Sequence, residues 1–205
     1  MSDRTIVITT PRTGGTPFTY ELAKKNGCEF INEPFILGFN PDSALKFGFH
    51  LHTASSLPES YVMHCMSGQF FAAYKDSKNY PKARYIFLER KDKWKQAISY
   101  LKLCGMAFSN NHVFGKYGTH NYNVTEDVEI FVPPSWMMVL TNLWSMYDHL
   151  KTLMPDAEVV YYEDVIYGDD LPYKKNVGMD KVSIVNIEHF ERMYHRYWQL
   201  SDPRP

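Results

Sequence analysis

TIVITTPRTGGTPFTYEL, residues 5–22, reads as a strand, a tight loop and the opening of a helix. Thr5 to Thr9 alternate and branch at Cβ, which suits a pleated strand. The proline and two glycines of Thr10-Pro11-Arg12-Thr13-Gly14-Gly15-Thr16 stop that pleat. Pro17 carries the fixed φ wanted in a helix's first turn, where its missing N–H is harmless. The spacing predicts a helix over 17–26, with Gly27 as a left-handed stop. Successive backbone N–H groups, the positive end of a helix and Arg12 then face one small space, a setting for an anion. The loop is not the nucleoside-triphosphate sequence G-x-x-x-x-G-K-[ST], because no lysine follows Gly15.

The rest of the composition keeps that anion site local. The chain has 205 residues, enough for one core, and is expected to form a single domain over 1–205. With 22 basic against 23 acidic residues and a net charge of −1, nothing global argues for nucleic acid or an anionic membrane as a partner, and neither nucleic acid nor membrane insertion is expected. Cys28, Cys65 and Cys104 have no metal-type spacing and read as reduced thiols. His50 and His52 lack a third ligand nearby in sequence, so no metal is expected. The chain shows no signal peptide and no apolar run of about 20 residues, and is expected to be soluble and cytoplasmic.

Further along, strand and helix patterns alternate. Cys28–Ile31 reads as a short strand, followed by Asn32-Glu33-Pro34-Phe35. Pro34 disfavours helical geometry at Glu33, which puts that carboxylate on an extended or turning segment at a strand's end, where ligands of open α/β sheets bind. Residues 36–60 lack periodicity and are rich in aromatics; short helices or an aromatic-lined loop are expected. Tyr61–Met66 reads as a buried strand that carries His64, then a helix over 68–78. Ala83–Leu88 is a continuous apolar run, as in the centre of a parallel sheet.

Glu89-Arg90-Lys91-Asp92 follows, with Asp92 as a helix cap. Trp94, Ala97, Ile98, Leu101 and Cys104 mark the buried face of the next helix. A strand feeding a helix through two cations makes a second anion site. Residues 105–133 show few periodic signals and read as a lid. Ser135–Met154 reads as a long helix with Trp136, Val139, Leu140, Leu143, Trp144, Tyr147 and Leu150 inward. Ala157–Tyr162 reads as the last strand, Lys174-Lys175 as a solvated pair, and Asn186 as the cap of a final helix. That helix is expected to turn Ile187, Phe190, Tyr194, Tyr197 and Leu200 inward.

Three of these segments resemble the motifs of the sulfotransferase family, in the family's order. Pro11-Arg12-Thr13-Gly14-Gly15-Thr16 resembles its 5′-phosphosulfate loop, Pro-[Lys/Arg]-Ser-Gly-[Thr/Ser]-Thr. Thr13 keeps a hydroxyl where the family has serine; Gly15 keeps the backbone donor and lacks the side-chain hydroxyl. Tyr85–Tyr100, YIFLERKDKWKQAISY, resembles the 3′-phosphate segment: a strand, an arginine, and a serine eight residues later. Lys91 and Ser99 have that spacing and Arg90 stands one step off, so both cations stay candidates. Lysine there would lose arginine's forked contact. Gln96-Ala97-Ile98-Ser99 is most similar to the compact bacterial trehalose-type branch. Tyr162-Glu163-Asp164 resembles the signature whose tyrosine touches adenine.

The resemblance implies an α/β fold, a single-domain parallel β-sheet flanked by helices with P-loop-like sulfotransferase architecture. It implies the donor 3′-phosphoadenosine 5′-phosphosulfate (PAPS), the product PAP, no metal, and a small-molecule or saccharide acceptor. Arg12, Thr13, Gly14, Gly15, Thr16, Arg90, Lys91, Ser99 and Tyr162 are then the donor-binding residues. Glu33 is the first choice for the proton acceptor and His64 the second, each also readable as a residue without a catalytic part. Two other readings stay open: a protein that kept the nucleotide site and lost catalysis, and a P-loop kinase-like phosphotransferase.

Overall fold

The computed structural model of the chain describes residues 4–34, 57–74, 77–109, 124–165 and 178–201. In chain order these residues form β1 (Arg4–Thr9), α1 (Gly15–Asn26), β2 (Glu29–Asn32), β3 (Tyr61–Met66), α2 (Ser67–Ala73) and β4 (Arg84–Glu89). Then come α3 (Lys93–Ser109), β5 (Val128–Ile130), α4 (Ser135–Leu153), β6 (Glu158–Tyr161), β7 (Val182–Ile184) and α5 (Ile187–Ser201).

The main sheet has five parallel strands in the order β2-β3-β1-β4-β6. Each face of β1 meets a different layer. Ile6 and Ile8 pack with Phe70 of α2 and with Tyr147 and Leu150 of α4. Val7 points the other way, with Phe18, Leu22 and Ala23 of α1. A strand covered on both faces must be apolar throughout, which is why IVI and IFL read as continuous runs rather than alternations. Completely buried side chains such as Ile6, Ile8 and Phe87 contribute roughly 1.5–3 kcal/mol each. The fold is α/β, a parallel sheet flanked by helices. The loops after β1 and β3 lead to helices on opposite faces, α1 and α2, which makes these adjacent strand ends a switch point of the kind where ligands of open α/β sheets bind.

Several expectations need correction. Helix α1 begins at Gly15 rather than Pro17, because Gly14 adopts a left-handed φ of 77° and caps it. Helix α2 ends at Ala73, short of residue 78. The segment 105–133 is not structureless where it is described: α3 continues to Ser109, and Val128–Ile130 pairs in parallel with Val182–Ile184. Strand β7 therefore follows β6, and Ala157–Tyr162 does not hold the last strand. Strands of three residues are too short to show a period. Asn186 stands at the cap position of α5, where its carbonyl accepts from His189 N at 3.2 Å, while its side-chain amide bonds both the N–H and the carbonyl of Val132 and so ties the start of α5 to the segment after β5.

On α3, Ala97, Leu101 and Cys104 are buried as expected, joined by Tyr100. On α4, Met137 takes a core place and Val139 is 42% exposed. Phe190 of α5 is buried, with Ile187, Tyr194 and Tyr197 packed around the same cluster. Residues 35–56, 110–123 and 166–177 lie outside the described residues, and with them most of the aromatic segment, much of the expected lid and Lys174-Lys175.

Candidate functional site

The loop from Thr10 to Thr16 turns through two left-handed residues, Arg12 (φ 65°) and Gly14 (φ 77°). Glycine takes that geometry freely, whereas an L side chain pays of order 1–2 kcal/mol for it. Arg12 is held there by contacts on several sides. Thr13 Oγ1 donates to Thr10 O at 2.8 Å, and Gln96 Nε2 donates to Thr10 Oγ1 at 2.7 Å and Pro11 O at 2.6 Å. Gln96 is completely buried in the first turns of α3, so α3 carries the loop. The backbone N–H groups of Thr13, Gly14, Gly15 and Thr16 make no backbone hydrogen bond among the described residues. They line the N-terminal end of α1, the anion-seeking end of a helix.

Beneath the loop lies His64, buried near the end of β3. Asn32 Oδ1 accepts from His64 Nδ1 at 2.8 Å, which leaves Nε2 to accept from Thr9 Oγ1 at 2.8 Å. Thr16 Oγ1 donates to the same Asn32 oxygen at 3.3 Å. Burial pushes the imidazole down to about 3, so it is neutral at physiological pH. Gly15 sits directly on this ring. A Cβ at Gly15 would lie 2.2 Å from His64 Nε2 and 2.7 Å from Thr9 Cγ2. No side chain fits at residue 15 above His64 as it stands.

Glu33 follows β2 and is, with Arg12, one of two non-glycine residues of positive φ among the described residues, at 46°. The proline after it excludes the right-handed helical well, and the chain turns the left-handed way. Glu33 N donates to His64 O at 2.9 Å, completing the edge between β2 and β3. Gln69 Oε1 accepts from Met66 N, which turns Gln69 Nε2 onto Glu33 Oε2 at 3.1 Å. Burial raises the Glu33 carboxyl to about 7, against the smaller opposing effect of Gln69. Its Oε1 lies 3.8 Å from His64 Nδ1, yet 18% of the side chain stays open to solvent. With the imidazole neutral, the two are not an ion pair.

The second cationic segment meets the same loop. Arg12 Nε donates to Ser99 Oγ at 3.0 Å, and Arg90 Nη1 donates to Arg12 O at 3.4 Å. Arg90 lies over the Tyr162 ring at 4.8 Å, a cation–π distance. Its Nε is buried and stands 3.8 Å from Glu163 Oε1, too far to donate, so this N–H makes no hydrogen bond. Lys91 faces outward. Its ammonium pairs with Asp164 at 2.5 Å and its backbone N–H donates to Glu163 Oε2 at 3.0 Å. Asp92 Oδ1 accepts from Lys95 N at 2.8 Å and caps α3 as expected.

The sheet therefore gathers Arg12, Thr13, Gly14, Gly15, Thr16, Glu33, His64, Arg90, Ser99 and Tyr162 at the carboxyl ends of its strands, with Lys91 at the rim. Asn32 and Gln69 were not singled out from the sequence, and Gln96 entered only as part of the Gln96–Ser99 resemblance, although each holds a candidate residue in place. Gln69 had a signal, since a glutamine three residues into a helix reaches back to its cap. Asn32 had none beyond being an amide beside a candidate, and the resemblance of Gln96–Ser99 did not point to Gln96 as a support of the loop. Among the described residues no group of three or more histidines, cysteines and carboxylates could hold a metal ion, and no helix is long and apolar enough to cross a membrane. Comparison with family models, curated proteins and solved structures yields no match, so family membership rests on no relative.

Proposed function

We propose that this chain is a sulfotransferase of P-loop-like architecture that moves a sulfonate from PAPS to a hydroxyl or amine acceptor. The observation that carries this reading is the contact between its two anion-seeking segments. Arg12 reaches Ser99 at 3.0 Å and Arg90 reaches the Arg12 carbonyl at 3.4 Å. A donor with phosphates on both sides of one nucleoside calls for two such segments side by side. The N–H groups of Thr13 to Thr16, which make no backbone hydrogen bond, suit the 5′-phosphosulfate, and the buried Nε of Arg90, which makes no hydrogen bond, suits a further phosphate oxygen. Arg90 is favoured over Lys91 for the 3′-phosphate, since the Lys91 ammonium already pairs with Asp164. Tyr162 would offer a ring face to adenine.

In the transfer, the acceptor oxygen or nitrogen bonds to sulfur as the sulfur–oxygen bond to the 5′-phosphate breaks. Charge builds on that leaving phosphate, where Arg12 and the loop N–H groups are preorganised to receive it. The acceptor's proton goes to the Glu33 carboxylate. A carboxyl raised to about 7 is half ionised at neutral pH and still basic enough to take a proton. His64 is a poorer choice, because its Nε2 already accepts from Thr9 and burial holds it near 3. The chain is placed in the cytoplasm on the sequence reading alone.

Calorimetric titration with PAP, followed by a labelled-PAPS screen of hydroxyl and amine acceptors, tests the proposal. Micromolar PAP binding with label transfer is expected. Failure to bind PAP rejects the donor, and binding without transfer leaves the nucleotide-binding, non-catalytic alternative. Magnesium-dependent ATP binding would point to the phosphotransferase.

A further inference from the structure

We infer that His64 is a positioning residue: its ring fills the volume that a side chain at residue 15 would occupy and so sets the floor of the anion loop. The inference rests on the reading of the Thr10–Thr16 loop as an anion cradle, though not on the identity of the nucleotide. A Cβ at Gly15 would meet His64 Nε2 at 2.2 Å and Cδ2 at 2.6 Å, far inside van der Waals contact. The ring cannot swing aside, since it is buried and bonded at both nitrogens, to Asn32 and Thr9. The Thr9 bond also fixes which way Thr9 Cγ2 points, and that methyl is the other obstacle, at 2.7 Å.

The arrangement passes up into the cradle. Gly15 is the first residue of α1, and Thr16 beside it donates to the Asn32 oxygen that holds the ring. His64 and Thr9, both buried, thus join the partly buried Asn32 and Thr16 in one network of uncharged groups under the free N–H groups. A side chain at residue 15 would lift α1 away from β3 and spoil the convergence of those donors. Residues 15 and 64 are one unit: glycine is required because histidine is present.

The test is a double-mutant cycle with inorganic pyrophosphate, a probe without nucleoside or sulfur. Its affinity is measured by calorimetry, with ligand-free thermal unfolding alongside, for the wild type, Gly15→Ala, His64→Ala and the double variant. Gly15→Ala alone should weaken pyrophosphate at least tenfold. In the His64→Ala background, where Thr9 is free to turn its methyl away, the same change should cost no more than about twofold. Should Gly15→Ala not fold, the double variant should fold.

An equal Gly15→Ala penalty in both backgrounds overturns the inference. So does failure of both the Gly15→Ala and double variants to fold, or absence of pyrophosphate binding by the wild type. PAP binding without coupling between residues 15 and 64 rejects this inference and leaves the sulfotransferase reading standing. Pyrophosphate coupling without PAP binding does the reverse.

Discussion

Under the Thr10–Thr16 loop the contacts are neutral and mostly buried: His64 to Thr9 and, partly buried, to Asn32, and Gln96 to Thr10 and Pro11. Around Arg90 and Lys91 they are ionic and partly wet, with Lys91 and Asp164 both more than half exposed. The first kind is rigid, because each buried polar group would be left unsatisfied if its partner moved. The second is screened by salt and exchanges readily with water. A loop that must aim N–H groups at one point needs the first kind. A rim that admits and releases a charged molecule is better served by the second.

The steepest way to probe the loop side of this comparison is Glu33→Gln, which keeps the shape of the side chain and removes its proton affinity. Turnover should fall by about 10²–10⁴-fold, and the rise of wild-type activity with pH near 7 should vanish from the pH–rate profile. Arg12→Ala should lower turnover by about 10²–10³-fold, with far-ultraviolet dichroism unchanged. Wild-type rates in either variant would remove that residue from the proposed chemistry.

Stability offers a third probe of the same half. The Glu33 carboxyl is raised from 4.5 to about 7, so the unfolded chain releases this proton first and stability is lost as pH rises between those values. The loss is on the order of 3 kcal/mol. His64 is lowered from 6.5 to about 3 and acts with the opposite sign: its contribution is present above 6.5 and lost as pH falls. Urea melts of Glu33→Gln and wild type at pH 4.5 and 7.5 should show the variant gaining relative stability at the higher pH. A difference that stays constant would mean that Glu33 is not desolvated.

The ionic half should give the smallest effects and divide its two cations. Arg90→Ala should weaken PAP by about 10–100-fold, the worth of a charge-assisted bond to phosphate. Lys91→Ala should change it by less than about threefold and lose that effect at high salt. Equal losses in calorimetry would return Lys91 to the 3′-phosphate.

Much of this molecule was legible in the chain. The apolar runs around Ile6–Ile8, Tyr61–Met66 and Ile86–Leu88, each followed by a helix pattern, determine a parallel sheet with covered faces, because only strands buried on both sides lose their alternation. The glycines and prolines of residues 11–17 determine a strand–loop–helix turn and hence a cluster of free N–H groups, since those backbone limits are local. The β5–β7 pair, Tyr100 and Met137 in the core, and Val139 on the surface were settled by which faces other elements left open. The tertiary structure alone decided what Gly15 is for, which of Arg90 and Lys91 turns inward, and why Glu33 holds its proton to about 7. Those facts depend on distances between residues far apart in the chain and on the exclusion of water around them, and neither quantity exists until the strands have paired.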